Sequence, residues 1–209
     1  PETGATAVAG DARSLTNRLG SPAVVNASTG SSLTADGRPM NLASLRAFVV
    51  DYRDRVLAGS EVDAIRRAYE YARLGHAREL IALDTEWASS ATERPFRQAS
   101  MAVGRRQLAS LRPLRDQRVI QRYAAAVDAG DAKGWHVIVY GIALAVFGIP
   151  LQTGLLHYAQ QTLGGFMDAT PTSHLLTDRQ KAELHREIDA SLPAILNQAL
   201  PVRPALRLV

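Results

Sequence analysis

Cysteine is absent from the 209 residues. That gap removes disulfide frameworks, thiolate zinc sites, iron–sulfur ligation and cysteine nucleophiles together, and it is compatible with a reducing compartment. Lysine is nearly missing as well: of 24 basic residues, only Lys133 and Lys181 are not arginine. No stretch alternates apolar and polar residues at useful strand length, and no motif recurs at a fixed period, so strand-rich and solenoid architectures are not expected. The N-terminal residues lack a basic region followed by an apolar run. A secretory signal is therefore not expected, and a cytoplasmic location is.

What is present suits one compact all-α domain. Hydrophobic residues make up 46% and charged ones 21%, and a chain of this size buries roughly 70–75% of its unfolded surface, enough for a core without metal or disulfide. Residues 1–40 read as an irregular Gly/Ser/Thr/Ala-rich arm with one short helix near 11–19, residues 41–200 as the helical domain and 201–209 as a tail. Asn41 is placed to cap a first helix whose apolar residues recur at helical spacing until Ala58-Gly59 stops it. Ser60 then caps a second helix, with Asp63 at the capping-box position. Further helices are expected over 76–87, 93–111, 115–129, 134–147, 151–167 and 178–200. The last carries a possible bend at Pro193, and the bundle holds roughly eight helices. The apolar run 137–156 approaches the length of a membrane span, but Gly148-Ile149-Pro150 interrupts it, so two central bundle helices are expected and no membrane contact.

A conventional active site is hard to assemble from these residues. His76, His136, His157, His174 and His185 form no HxxxH or HExxH pair, and no carboxylate stands at metal-ligand spacing from them; neither a metal site nor a cofactor is expected. The glycine clusters lack P-loop spacing, and there is no GxSxG elbow. One enzymatic reading survives, with His136, His157 and Tyr158 as a polar cluster beside the apolar core.

Charge is distributed unevenly. Between 94 and 122 lie eight arginines against one acid, Asp116. Arg97, Arg105 and Arg112 share one helical stripe, and Arg115, Arg118 and Arg122 another. Guanidinium forks suit carboxylates and phosphates, so an acidic protein surface or a nucleic acid fits here. Alternatively the arginines form a solvated face neutralised by Glu79, Asp84 and Glu86 of neighbouring helices. Nucleic acid is the weaker of the two binding readings, because no stacking aromatics are interleaved with the arginines.

Several stretches, in order along residues 37–180, resemble the urease accessory protein UreF family. They are Gly37-Arg38 with the helix from Asn41 to Phe48; Arg97-Gln98-Ala99-Ser100-Met101-Ala102-Val103-Gly104-Arg105; and His136 followed by Gly141 to Pro150 and Leu155-Leu156-His157-Tyr158. A fourth, Thr177 to Gln180, is weaker. The chain departs from the family pattern in the eroded region from Leu19 to Leu33, at Pro95, in a His136 one residue nearer Gly141, and in a shortened stretch from Met167 to Gln180. The resemblance implies an all-helical, usually homodimeric protein that catalyses no reaction. It would bind UreD (also called UreH), recruit the GTPase UreG, regulate GTP hydrolysis and assist nickel delivery to apo-urease. It marks Arg97, Ser100, Gly104, Arg105, His136, Tyr158 and Gln180 as partner-binding candidates. For Arg97 and Arg105 the alternatives are contacts to an acidic partner or pairing across helices. Ser100 and Gly104 also suit close helix approach, and Tyr158 is equally suited to the core or to an interface. The rival reading from another functional class is an arginine-rich helical nucleic-acid-binding protein.

Overall fold

A computed structural model describes residues 41–89, 97–170 and 175–200. The expected arm with its short helix, the start of the fourth helix with Arg94 and Pro95, His174, and the tail 201–209 lie outside these residues. Within them the chain is all-α, with no extended strand.

Asn41 caps α1 (Leu42–Asp51) as expected, its side chain accepting from the Ser44 backbone N–H at 2.9 Å. The expected stop at Gly59 does not occur. The chain passes from α1 through a π-helical stretch, Tyr52–Glu61, directly into α2 (Val62–Arg73). Gly59 keeps a negative φ, so nothing terminates the helix, and the wider π turn absorbs the change of register. Ser60 does not cap α2, because its hydroxyl turns back to donate to the Val56 carbonyl at 2.8 Å. Asp63 pairs with Arg66 rather than completing a capping box. Tyr52 ties the two ends of the stretch together, its buried hydroxyl donating to Glu61 Oε1 at 2.9 Å. This fusion leaves seven helical rods among the described residues, where roughly eight were expected.

The remaining helices are α3 (Ala77–Ser89), α4 (Arg97–Leu111), α5 (Arg118–Ala129), α6 (His136–Val146), α7 (Leu151–Ala169) and α8 (Asp178–Ala199). Thr177 caps α8 with a complete capping box, and Pro193 lies inside that helix without ending it. The apolar run resolves into α6 and α7, separated at Gly148, whose φ of 65° is a conformation that residues with side chains rarely adopt. No helix among the described residues is long and apolar enough to cross a membrane.

Every residue of α6 from His136 to Leu144 is buried, which follows from a helix apolar on all sides. It packs chiefly on α2 and then on α4, while α7 lies against α8. Gly141 makes the α2 contact possible: a Cβ there would stand 2.6 Å from the Ile65 carbonyl oxygen and 2.7 Å from Ala68 Cβ. At the other end of the bundle, Phe48 of α1 and Tyr52 close on Phe166 of α7, with ring centroids 5.0 and 4.7 Å away.

Candidate functional site

Several polar groups of the core, from α3, α4 and α5, converge on the turn leading into α6, residues 133–136. A helix N-terminus carries backbone N–H groups without intrahelical acceptors, and Trp135, at the N-cap of α6, supplies no side-chain cap. The acceptor comes instead from α3. Asp84, fully buried, accepts from the backbone N–H of Lys133, from that of Gly134 at 3.0 Å and, more loosely, from that of Trp135 at 3.4 Å. It also accepts from the Tyr123 hydroxyl of α5 at 2.6 Å. One carboxylate therefore joins α3 and α5 to the start of α6 and sets negative charge against its dipole. Burial first, then the Asp84 charge, pushes the Tyr123 phenol well above its ordinary range, so it remains a donor.

From the other side α4 supports the same turn. Arg97 lies over the Trp135 ring at 5.2 Å. Ser100 Oγ accepts a long bond, 3.4 Å, from the His136 backbone N–H. Gly104 lets the backbones approach so closely that a Cβ would lie 2.7 Å from the His136 nitrogen. Arg105 Nε donates to the Lys133 carbonyl at 2.9 Å. Five of the seven candidates from the sequence, Arg97, Ser100, Gly104, Arg105 and His136, thus meet at one turn. Tyr158 of α7 joins them through its ring, 5.6 Å from that of His136. Gln180 does not belong to this group; it completes the capping box with Thr177.

His136, Tyr140 and Tyr158 form a buried ring cluster. The Tyr140 hydroxyl donates to the Gly154 carbonyl at 3.0 Å and lies 3.1 Å from His157 Nδ1, an arrangement that suits an Nδ1–H tautomer of His157. His136 Nδ1 meets no hydrogen-bond partner among the described residues. Burial, and secondarily the charge of Arg106, lower the His136 pKa from 6.5 to about 4, so the ring is neutral near pH 7. His136, His157 and Tyr158 are all at least 97% buried. Two clefts of about 210 and 320 Å³ among the described residues lie elsewhere, one along α7 and α8 at Gln152, Leu156 and Pro193, the other beside the π-helical stretch at Ser60, Arg67 and Trp87.

The depressed His136 pKa fixes a pH dependence. Between about pH 4 and 6.5 the unfolded chain binds a proton that the folded chain excludes, so stability is complete above pH 6.5 and is lost as pH falls towards 4. At about 1.4 kcal/mol per pKa unit the loss is about 3 kcal/mol at full extent. His157 is shifted in the same direction by burial. Urea midpoints measured from pH 7.5 to 4.5 should fall for the natural chain, and His136→Phe should flatten most of that slope. Equal slopes for the two proteins would contradict the buried, neutral assignment.

The acids expected to neutralise the arginines are engaged otherwise. Asp84 is buried under the α6 turn, and Glu86 holds Arg67 through two bonds of 2.7 and 2.8 Å. Glu79 makes no ion pair among the described residues. Asp84 and Tyr123 are the structural residues the sequence reading missed. The signal for Asp84 was its place in the inward stripe of α3, Ala77, Leu80, Leu83, Asp84 and Trp87, where a carboxylate must find donors. No group of three or more His, Asp or Glu among the described residues is disposed to hold a metal ion.

Fold and site together define an all-helical protein whose organised polar groups hold its own turns in place. The UreF family model matches residues 40–170, more than half of the chain and the span from the cap of α1 to the end of α7, and the chain belongs to that family. It is also similar to the urease accessory protein UreF of Sporosarcina pasteurii, 27% identical over 115 residues, which is 55% of this chain and 57% of that protein. The match thus spans little more than half the length of that relative.

Proposed function

We propose that the chain is a urease maturation scaffold. In this reading it binds UreD (also called UreH), recruits the GTPase UreG, regulates GTP hydrolysis and assists nickel delivery to apo-urease. It acts as a cytoplasmic homodimer and catalyses no reaction itself. The observation that carries the reading is the family match over residues 40–170, which takes in the helices meeting at the 133–136 turn. The name of the Sporosarcina pasteurii relative, a urease accessory protein, agrees with it.

Partner binding then divides between two kinds of residue. Ser100, Gly104, His136 and Tyr158 are buried, so they serve by fixing the relative placement of α4, α6 and α7. Arg105 is exposed and Arg97 partly so, and they are the members of the set able to reach a partner directly. Gln180, partly buried at the start of α8, contributes by holding that end of the helix. The test is co-purification of the tagged chain with co-expressed UreD and UreG. The scaffold reading expects a complex containing both, and recovery of neither would contradict it.

A further inference from the structure

Among the described residues outside 97–133 most arginines are neutralised, the exceptions being Arg73, Arg78 and Arg186, which are exposed and form no ion pair there. Six arginines on α1, the π-helical stretch, α2 and α8, namely Arg46, Arg53, Arg55, Arg66, Arg67 and Arg179, hold carboxylates at 2.6–3.0 Å. Residues 97–133 behave differently. They contain eight basic residues and three acids, an excess of five that is larger than the whole chain's net charge of +4; the rest of the chain is slightly acidic. Only Arg112 in this stretch forms an ion pair among the described residues, with Asp128 at 2.6 Å. Arg106, Arg115, Arg118 and Arg122 are exposed and pair with no acid among the described residues. The side chain of Gln121, donating to the Arg112 and Leu114 carbonyls, fixes the α4–α5 turn that carries Arg115.

We infer that this α4–α5 face is a docking surface for an acidic protein surface. The inference deepens the scaffold reading and rests on it. Unpaired like charges held together repel, and an anionic partner removes that cost. Arginine is the basic residue enriched at protein interfaces and lysine the depleted one, because the guanidinium fork binds carboxylates in two-pronged fashion and is weakly hydrated. The exposed bases of α4 and α5 are all arginine. The aromatic side chains of this region, Tyr123 and Trp135, are fully buried, so the face has no ring on which a nucleic-acid base could stack. The surface is also continuous with the interior: Arg105 at its edge holds the Lys133 carbonyl, whose own residue donates to Asp84.

The test compares the natural chain with Arg115→Glu/Arg118→Glu/Arg122→Glu and with the neutral Arg115→Gln/Arg118→Gln/Arg122→Gln, each checked for an unchanged helical spectrum and melting temperature. Binding to purified UreD, to UreG and to a 20-base-pair duplex DNA is measured between 50 and 300 mM salt, conditions set on the scale of about 0.1 M over which exposed charges become screened. The expected result is binding of the natural chain to one of the two proteins, weakened at least about tenfold by the glutamate variant and less by the glutamine variant, with a shallower salt dependence in both. Protein binding unchanged by either variant overturns the docking surface and leaves the scaffold reading standing. No protein binding by the natural chain overturns both. Binding to the duplex at physiological salt, lost in the variants without any change in protein binding, assigns the face to nucleic acid and also overturns the inference.

Discussion

Gly141→Ala is expected to destabilise the fold by about 3 kcal/mol, and Gly141→Leu to leave no cooperatively folded state. The added Cβ meets the Ile65 carbonyl oxygen at 2.6 Å and Ala68 Cβ at 2.7 Å, and both belong to the rigid helix α2, not to the mobile end of a side chain. Relief requires α2 and α6 to separate, which strips contacts from the most apolar helix in the bundle. Overpacking a core by a methyl or methylene typically costs about 1–3 kcal/mol, and a contact with backbone sits at the top of that range. Total stabilities are about 5–15 kcal/mol, so a leucine here removes most of the margin. Gly59→Ala is the matched control. Its nearest new contact is the Asp54 carbonyl oxygen at 3.6 Å and its φ is not positive, so the change should be neutral or stabilise by up to about 1 kcal/mol. Urea denaturation followed by helical circular dichroism measures both. A loss below about 1 kcal/mol for Gly141→Ala would mean that the two helices are further apart than described.

Asp84→Ala should cost about 3–5 kcal/mol. The Tyr123 hydroxyl and the backbone N–H groups of Lys133 and Gly134 all lose their acceptor, and each buried donor left unmade costs about 1–3 kcal/mol. Partial rescue by water at the opened site keeps the total below their sum. Asp84→Asn should fall between the natural chain and alanine, because one of its two terminal atoms is itself a donor facing donors. Tyr123→Phe removes one donor and leaves the others satisfied, so about 1 kcal/mol is expected. Amide exchange separates these effects from a general loss of stability: residues 133–136 should exchange faster in Asp84→Ala than the rest of α6. Uniform acceleration along α6 would show that Asp84 does not specifically hold the turn.

Most helix positions were legible because their signals are local. Asn41 and Thr177 are caps in the sequence and caps in the structure, and Gly148 with Pro150 divides the apolar run where expected. Gly59-Ser60 was misread because glycine and serine next to each other usually mark a helix end, whereas packing of Val56, Leu57, Glu61 and Val62 on both sides keeps the chain helical through a π turn. The candidate residues around Arg97 to Arg105 and His136 came from a resemblance to a family. Their convergence on residues 133–136 is a tertiary fact, set by the close approach at Gly104, that spacing within one helix does not show. Asp84 was grouped with surface acids because charge counting ignores direction. Its place in the inward stripe of α3 was the clue, but its donors lie 39 to 51 residues further on. The unneutralised arginine face has the same cause: which acids reach which arginines depends on how the helices are arranged.

The scaffold account is tested most directly in a host that carries urease and its remaining accessory genes but lacks a working UreF gene. Expression of the natural chain should restore nickel content and urease activity together, while Gly141→Leu, which is expected not to fold, should restore neither. Nickel-free, inactive urease in the presence of the soluble, folded natural chain would contradict the account.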